Sequence, residues 1–310
     1  LSSTTMPAML KQGYDPKLAG GVVAISGTLA MLIPPSIALV LYGIIADVSI
    51  SQLLIGGVIP GILVTLTIMA TVWALVTIDP GSAPRGNAYS MGEKFRSLKV
   101  VFPMLLLFMS VTGVIYTGIA TPTEASGLGA FGAFLLALRE GQVSRATLAK
   151  ALTHAAHASC MIIMIVVCAK IFGYFFILSQ STQALVQWVG SLGMSRWLIL
   201  VCILFGYIVL GCLMDQIAIL ILTVPIVLPL IKSLGFDPVW FGVIVVVVAE
   251  VGLITPPVGL NVFVVSRYAK RPLREIFAGV WPHVFSHLLL LAVLVAFPQI
   301  ILWLPAQMAP

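Results

Sequence analysis

Gly235-Phe236-Asp237-Pro238 opens a stretch that runs through almost unbroken apolar residues to Glu250, stops at Thr255-Pro256-Pro257, and resumes as Val258-Gly259-Leu260-Asn261. The same wording occurs 222 residues earlier, where Gly13-Tyr14-Asp15-Pro16 leads through an apolar run to Ile33-Pro34-Pro35-Ser36. At that offset Pro7, Pro16, Pro34, Pro35 and Pro60 land on Pro229, Pro238, Pro256, Pro257 and Pro282, while Gly13, Gly20 and Gly57 land on Gly235, Gly242 and Gly279. Proline makes up 19 of the 310 residues, so five matches out of five is a coincidence of about one in a million at any single offset. The chain therefore contains an internal repeat.

Each copy reads as a membrane helix broken near its middle. Proline has no amide to donate and its ring clashes with the preceding turn, so a Pro-Pro pair inside an apolar span ends the helix and frees backbone carbonyls and amides. Such groups cannot face lipid; at membrane depth they are tolerated only where they line a cavity or meet an ion or a solute. Interrupted helices at matching positions of two halves point to a binding site for transported ions and solutes.

Composition places the chain in a bilayer. Hydrophobic residues make up 60% and charged residues 8%, which leaves no stretch for a soluble domain of any size. The net charge of +6 comes from basic residues gathered in short loops, as in cytoplasmic membrane loops, and not from a basic face that would bind nucleic acid. Cys160, Cys168, Cys202 and Cys212 lie in apolar segments without metal-ligand spacing and read as buried free thiols. The chain starts at Leu1 with no signal peptide ahead of the apolar spans, and the repeat leads us to expect a missing piece of about 120 residues in front of it.

Outward from the repeat, residues 1–11 align with 223–233 and are expected to form the outgoing arm of a half-membrane hairpin. Residues 18–45 are the first broken helix, and 53–78 a span in which Gly56-Gly57 and Pro60 mark close packing or a kink. A polar loop with Arg85, Lys94 and Arg96 fills 79–97. Two spans, 98–119 and 122–138, meet at Thr121-Pro122-Thr123-Glu124, where Glu124 reads first as a helix cap. A basic amphipathic surface segment is expected at 139–150, a span at 151–178, and a polar connection at 179–196 with Trp188 and Trp197 as interfacial anchors. Asp215-Gln216 followed by an apolar run with Pro225 and Pro229 predicts a re-entrant helical hairpin over 213–231, then the second broken helix at 239–268 and a last span at 276–304. Residues 1–97 thus end a first repeat and 98–310 form a second.

Basic residues set the orientation. If 11–17, 79–99, 139–150 and 267–275 face the cytoplasm, they hold 13 of the 16 Lys and Arg residues. The two broken helices then cross in opposite directions, which predicts an all-α integral membrane protein built as an inverted repeat, with Gly92 inside and Met308 and the C-terminus on the opposite side.

Among residues that carry chemistry, His283 and His287 are one turn apart without an acid or third ligand and read as structural or interfacial, as do His154 and His157. No Ser-His or Asp-Asp pair suits intramembrane proteolysis, and no Gly-rich loop with a following Lys cradles a nucleotide, so no enzyme chemistry and no organic cofactor is expected. A Na⁺ site is better supported. A hard monovalent cation wants several oxygens, and unwound carbonyls beside hydroxyl and amide oxygens supply them. Around the first break these are Ser26, Gly27, Thr28 and Ser36; around the second, Asp215, Thr223, Gly252, Thr255, Gly259 and Asn261. Glu250 occupies the place of Thr28 and is open to two readings: contact with an ion, water or solute, or a structural hydrogen bond. Lys170, within a span, reads as paired or snorkelling. Pro34, Pro35, Pro256 and Pro257, with Glu250, are the candidate solute contacts at the breaks.

Several runs resemble the large membrane subunit of TRAP (tripartite ATP-independent periplasmic) transporters: Leu210-Gly211-Cys212-Leu213-Met214-Asp215, Pro225-Ile226-Val227-Leu228-Pro229, Gly252-Leu253-Ile254-Thr255-Pro256-Pro257-Val258-Gly259-Leu260-Asn261 and Tyr116-Thr117-Gly118-Ile119-Ala120-Thr121-Pro122-Thr123-Glu124. The resemblance covers essentially the whole chain. It implies Na⁺-driven import of organic acids such as C4-dicarboxylates or sialic acid across a bacterial inner membrane, with a periplasmic substrate-binding protein and a small membrane subunit as partners. It also implies an elevator motion of hairpins and broken helices, in the manner of the ion transporter superfamily, and an ion site left incomplete where the serine-rich tip of the family's first hairpin is absent. A stand-alone carboxylate symporter needing no binding protein is the competing reading.

Overall fold

The structure, a computed structural model, describes residues 2–84, 90–141 and 143–307. Arg85 and Met308, to which expectations were attached above, lie outside these. In chain order the helices are α1 (Ser2–Lys11), α2 (Pro16–Ser26), α3 (Leu29–Leu32), α4 (Ile37–Ala46), α5 (Ile50–Gly56), α6 (Val58–Ile78), α7 (Met91–Tyr116), α8 (Pro122–Arg139), α9 (Arg145–Leu178), α10 (Ser181–Ser191), α11 (Arg196–Leu213), α12 (Gln216–Ser233), α13 (Pro238–Ile254), α14 (Leu260–Ala269), α15 (Leu273–Ala296) and α16 (Gln299–Leu302). Among the described residues there is no strand. Five helical stretches among the described residues, 50–78, 145–178, 196–213, 216–233 and 273–296, are long and apolar enough to cross a membrane. Pro16–Leu32 with Ile37–Ala46, bent by 43°, makes a sixth if counted as one span. The chain is a multi-pass, all-α membrane protein.

Contacts divide it into two units, Leu1–Pro84 with Ala169–Ala306, and Arg85–Cys168 with Gln307–Pro310. In the second unit α7 and α8 pack antiparallel, Gly132 against Leu107 and Gly129 against Val111. Both helices start with a capping box: Ser90 with Glu93, and Thr121 with Glu124, whose carboxylate accepts from Thr121 N and Oγ1 at 2.8 Å each. Glu124 is therefore the cap its position indicated.

Both copies of the repeated stretch lie in the first unit. Their local structures match at the same offset: α1 ends at Lys11 and α12 at Ser233, Gly13 and Gly235 both have positive φ, and Asp15 and Asp237 cap the helices that start at Pro16 and Pro238. Ile33 and Thr255, each ahead of a Pro-Pro pair, are extended at ψ 124° and 140°, because a following proline ring clashes with the helical conformation. The helices stop there for that reason. Both Pro-Pro bonds are cis.

The core is held by close backbone approach. Helices in lipid gain little from the hydrophobic effect when they meet, so small residues that bring backbones into van der Waals contact do most of the joining. A Cβ on Gly279 of α15 would lie 1.8 Å from Lys17 O, and one on Gly21 of α2 would lie 2.3 Å from Gly279 O. Gly211 of α11 and Gly252 of α13 are in similar contact. Residues 239–254 of α13 are all buried, and Tyr42 of α4 donates to Pro238 O at 2.8 Å, tying the first copy to the second.

Three expectations need correction. The hairpin at 213–231 is not folded at its prolines: α12 is one helix containing Pro225 and Pro229, and the chain reverses at Met214-Asp215. Trp197 packs edge-on to Phe236 at 5.2 Å and Tyr207 bonds Thr223, pairs nearly equidistant from residue 215, so α11 and α12 are the two arms. Each has 18 residues, about 27 Å in length. An isolated proline removes one bond from a ladder the rest can carry, whereas Asp215, accepting from Ala218 N, starts a new helix. Second, 139–150 is not a separate surface segment, since 145–150 form the first turns of the 34-residue α9, and the connection 179–196 contains α10. Third, only Cys212 is buried; Cys160, Cys168 and Cys202 are exposed, because a membrane helix turns apolar side chains toward lipid as well as toward the core.

Candidate functional site

The first break runs from Gly27 to Ser36. Thr28 is 1% exposed and donates to Ile25 O at 2.8 Å. Ser36, also 1% exposed, donates to Met31 O and accepts from Leu39 N, so it satisfies a carbonyl left by the break and caps α4. Pro34 is buried and Pro35 exposed. The second break runs from Thr255 to Gly259. Thr255 donates to Val251 O at 2.6 Å, and Gly259 has φ +57° with Phe277 so close that a Cβ would lie 2.9 Å from its ring. Pro256 is half-buried and Pro257 exposed. In each hydroxyl the proton is spent on a carbonyl, which leaves oxygen lone pairs for a cation.

The two breaks are brought into one neighbourhood. Helix α14, which follows the second break, packs on α1 and α2, and α3, inside the first break, packs on α13. As a result Asn261 Nδ2 lies 3.8 Å from where a Cβ on Gly27 would be. The Ser26 hydroxyl and the Asn261 amide have no hydrogen-bond partner among the described residues. The Asn261 amide of one copy therefore stands beside Gly27 of the other, next in sequence to Ser26 and Thr28.

The hairpin meets the second copy through its tip. Besides the Gly211–Gly252 contact, Gln216 donates to Val246 O at 3.2 Å; it is 2% exposed and its Oε1 has no partner among the described residues. Asp215 is exposed at the tip as the cap of α12. Thr223 stands two turns along the arm, 2.7 Å from Ile219 O and 2.6 Å from Tyr207 Oη, and is engaged within the hairpin. Gln216 is the residue that sequence reasoning missed. A buried amide beside a capping Asp has no signature of its own in one sequence.

Glu250 is fully buried on α13, and neither carboxylate oxygen has a hydrogen-bond partner among the described residues. The structural hydrogen bond considered for it is therefore not found there. Trp240 Nε1 donates to Leu294 O at 3.3 Å, and Gly259 touches Phe277, so α13 and α15 run antiparallel and Glu250 is level with residues near 284. His283 and His287 bracket that level. Both are 0% exposed, which makes them core rather than interfacial, and His287 Nδ1 donates to His283 O at 2.8 Å. Among the described residues no three His, Cys, Asp or Glu side chains come together to hold a metal ion. The donor set at the breaks, hydroxyls, an amide and carbonyls without thiolate or imidazole, fits an alkali cation and not a transition metal.

A family model described as the tripartite ATP-independent periplasmic transporter, DctM component, matches residues 1–300. The chain belongs to the DctM family. It is a transporter permease, not an enzyme. It is 33% identical over 308 residues to the C4-dicarboxylate TRAP transporter large permease protein DctM of Pseudomonas aeruginosa, covering 98% of this chain and 71% of that protein. It is 31% identical to the sialic acid TRAP transporter large permease protein SiaM of Vibrio cholerae, with the same coverage. To the ectoine TRAP transporter large permease protein TeaC of Halomonas elongata it is also 31% identical, again over 98% and 71%. These DctM relatives are named for different solutes while the scaffold is shared, so solute identity is not written in the residues that carry the family match.

Proposed function

We propose that this DctM chain carries organic acids, of the C4-dicarboxylate or sialic acid kind, across the bacterial inner membrane, driven by Na⁺ bound at the broken helices. The observation that carries the reading is the meeting of Asn261 from one copy with Gly27 from the other, which sets polar groups of the two breaks side by side in a chain of a transporter family. Ser26, Gly27, Thr28, Asn261, Thr255 and Gly252 supply ion ligands, while Ser36 satisfies its own break and Asp215, Thr223 and Gly259 shape the tip and the turn. Solute meets the prolines at 34, 35, 256 and 257 and the sector of Glu250. The hairpin and the two broken helices move as one body in an elevator motion, and Na⁺ ties them together. A periplasmic binding protein delivers the solute and a small membrane subunit completes the assembly, in keeping with the tripartite family.

This reading makes uptake depend on the partner. Vesicles holding the full-length permease and its small subunit are expected to import labelled C4-dicarboxylate or sialic acid at no more than background until the cognate binding protein is added. Rapid, saturable uptake without it would instead identify a stand-alone symporter.

The basic loops orient the chain with its C-terminus in the periplasm and the two copies inverted. Single cysteines at Gly92 and Gln307, in a background without native cysteines, are expected to react with an impermeant maleimide on intact cells at 307 only. Labelling at 92 but not at 307 reverses the orientation.

A further inference from the structure

A cavity of about 440 Å³ lies between the last turns of α9, the start of α10 and the hairpin arm α12. It plays no part in the site described above. Its polar lining is Lys170 and Tyr174, one turn apart on α9, with Thr182 and Gln183 from the first turn of α10; its apolar wall includes Phe176 and Val224. Three features of this lining call for an anion.

Lys170 stands within a helix long and apolar enough to cross a membrane, eight residues from its end, so its Cα is about 12 Å along the axis from Leu178. No carboxylate pairs with it among the described residues, and it lines the cavity. A cation at that depth is costly unless it meets an opposite charge. Next, α10 begins without a side-chain cap, its preceding residue Gln180 having φ 55°, so the first amides of this 11-residue helix are free to donate. Finally, Thr182, 7% exposed, lines the cavity, and its buried hydroxyl has no hydrogen-bond partner among the described residues. A buried hydroxyl with nothing to bond costs free energy, and an acceptor in the cavity removes that cost.

We propose that this cavity binds an anionic phospholipid, its phosphate accepting hydrogen bonds from Lys170 Nζ, the Thr182 hydroxyl and the first amides of α10, with an acyl chain along Phe176 and Val224. The volume and the apolar walls exceed what a free oxyanion needs and suit a headgroup with the upper part of a chain. Both α9 and α12, which line it, are membrane-crossing candidates. Trp188 on α10 is 61% exposed, as expected of an anchor where bilayer meets water.

The test uses the full-length permease, purified and stripped stepwise of lipid in detergent, with phosphatidylglycerol retained per chain read by native mass spectrometry. One phosphatidylglycerol is expected to resist removal from the unmodified protein. Lys170→Gln is expected to lower its retention by about tenfold, the loss of one charge-assisted hydrogen bond. Thr182→Val lowers it several-fold, and Lys232→Gln leaves it unchanged. Lys170→Arg, which keeps the charge, restores retention and guards against a folding defect in the Gln variant. Equal retention in folded Lys170→Gln overturns the site. Displacement of the lipid by millimolar inorganic phosphate, or equal retention of phosphatidylethanolamine, overturns the assignment to an anionic lipid.

Discussion

Replacing Pro256 and Pro257 together by alanine is expected to leave a folded, membrane-inserted permease that has lost nearly all transport. The two alanines restore two amides and remove the ring that holds Thr255 in an extended conformation. Helix α13 can then continue toward α14, and carbonyls freed by the break return to backbone bonds. Losing two of the carbonyls proposed to bind Na⁺, each worth about 1–3 kcal/mol when the vacated partner stays buried, should lower initial uptake by about a hundredfold or more. Helix propensity favours the variant, so its amount in the membrane should not fall. Initial uptake rates, normalised to permease on an immunoblot, measure the effect. Uptake within threefold of the unmodified protein would show that the break is not part of the mechanism. Pro34 and Pro35 should behave alike, since Ile33 is extended for the same reason.

The largest effect on stability belongs to Gly279. Its Cβ would lie 1.8 Å from Lys17 O, a backbone atom that cannot swing aside, and Gly21 faces it across the same contact. Gly279→Ala must therefore push α15 away from α2, which costs about 1–3 kcal/mol or more and should show as a marked fall in thermal midpoint and in yield. Gly206 on α11 is the control, because a Cβ there meets nothing within 4 Å. Gly206→Ala should be neutral or stabilising by up to about 1 kcal/mol, since alanine has less backbone freedom to lose. Equal behaviour of the two variants would mean that α2 and α15 do not meet as described.

Pro-Pro and Asp-Pro pairs declared the broken helices in advance because proline acts locally: it removes a donor and constrains the residue before it, whatever surrounds it. Ile33 and Thr255 are extended for that reason, and Asp15 and Asp237 cap as expected. The hairpin turns at Asp215 and not at its prolines because Pro225 and Pro229 carry the same letter without the same context; one proline per turn is absorbed by neighbouring helices, and Asp215 as a cap is the stronger signal. The hairpin's arms become visible only through contacts across it, such as Tyr207 with Thr223. The level shared by Glu250, His283 and His287 depends on how α13 lies against α15, which no spacing encodes. Lys170 reads alike in sequence whether it pairs, snorkels or lines a cavity; the cavity needs α10 and α12 to exist. Candidate ligands at the two breaks are legible as residue types, while the hydroxyl protons that Thr28, Ser36 and Thr255 give to nearby carbonyls are not.

Sodium binding at the breaks is the centre of this account, and Thr255→Ala tests it most directly. Thr255 donates its proton to Val251 O and so keeps its lone pairs for a cation; alanine removes that oxygen and no charge. The measurement is binding-protein-dependent uptake in vesicles as a function of Na⁺ concentration, with the full-length transporter and expression controlled. The half-saturating Na⁺ concentration is expected to rise by about tenfold, the loss of one neutral oxygen ligand, with transport recovered at high Na⁺. An unchanged half-saturating concentration would contradict the assignment.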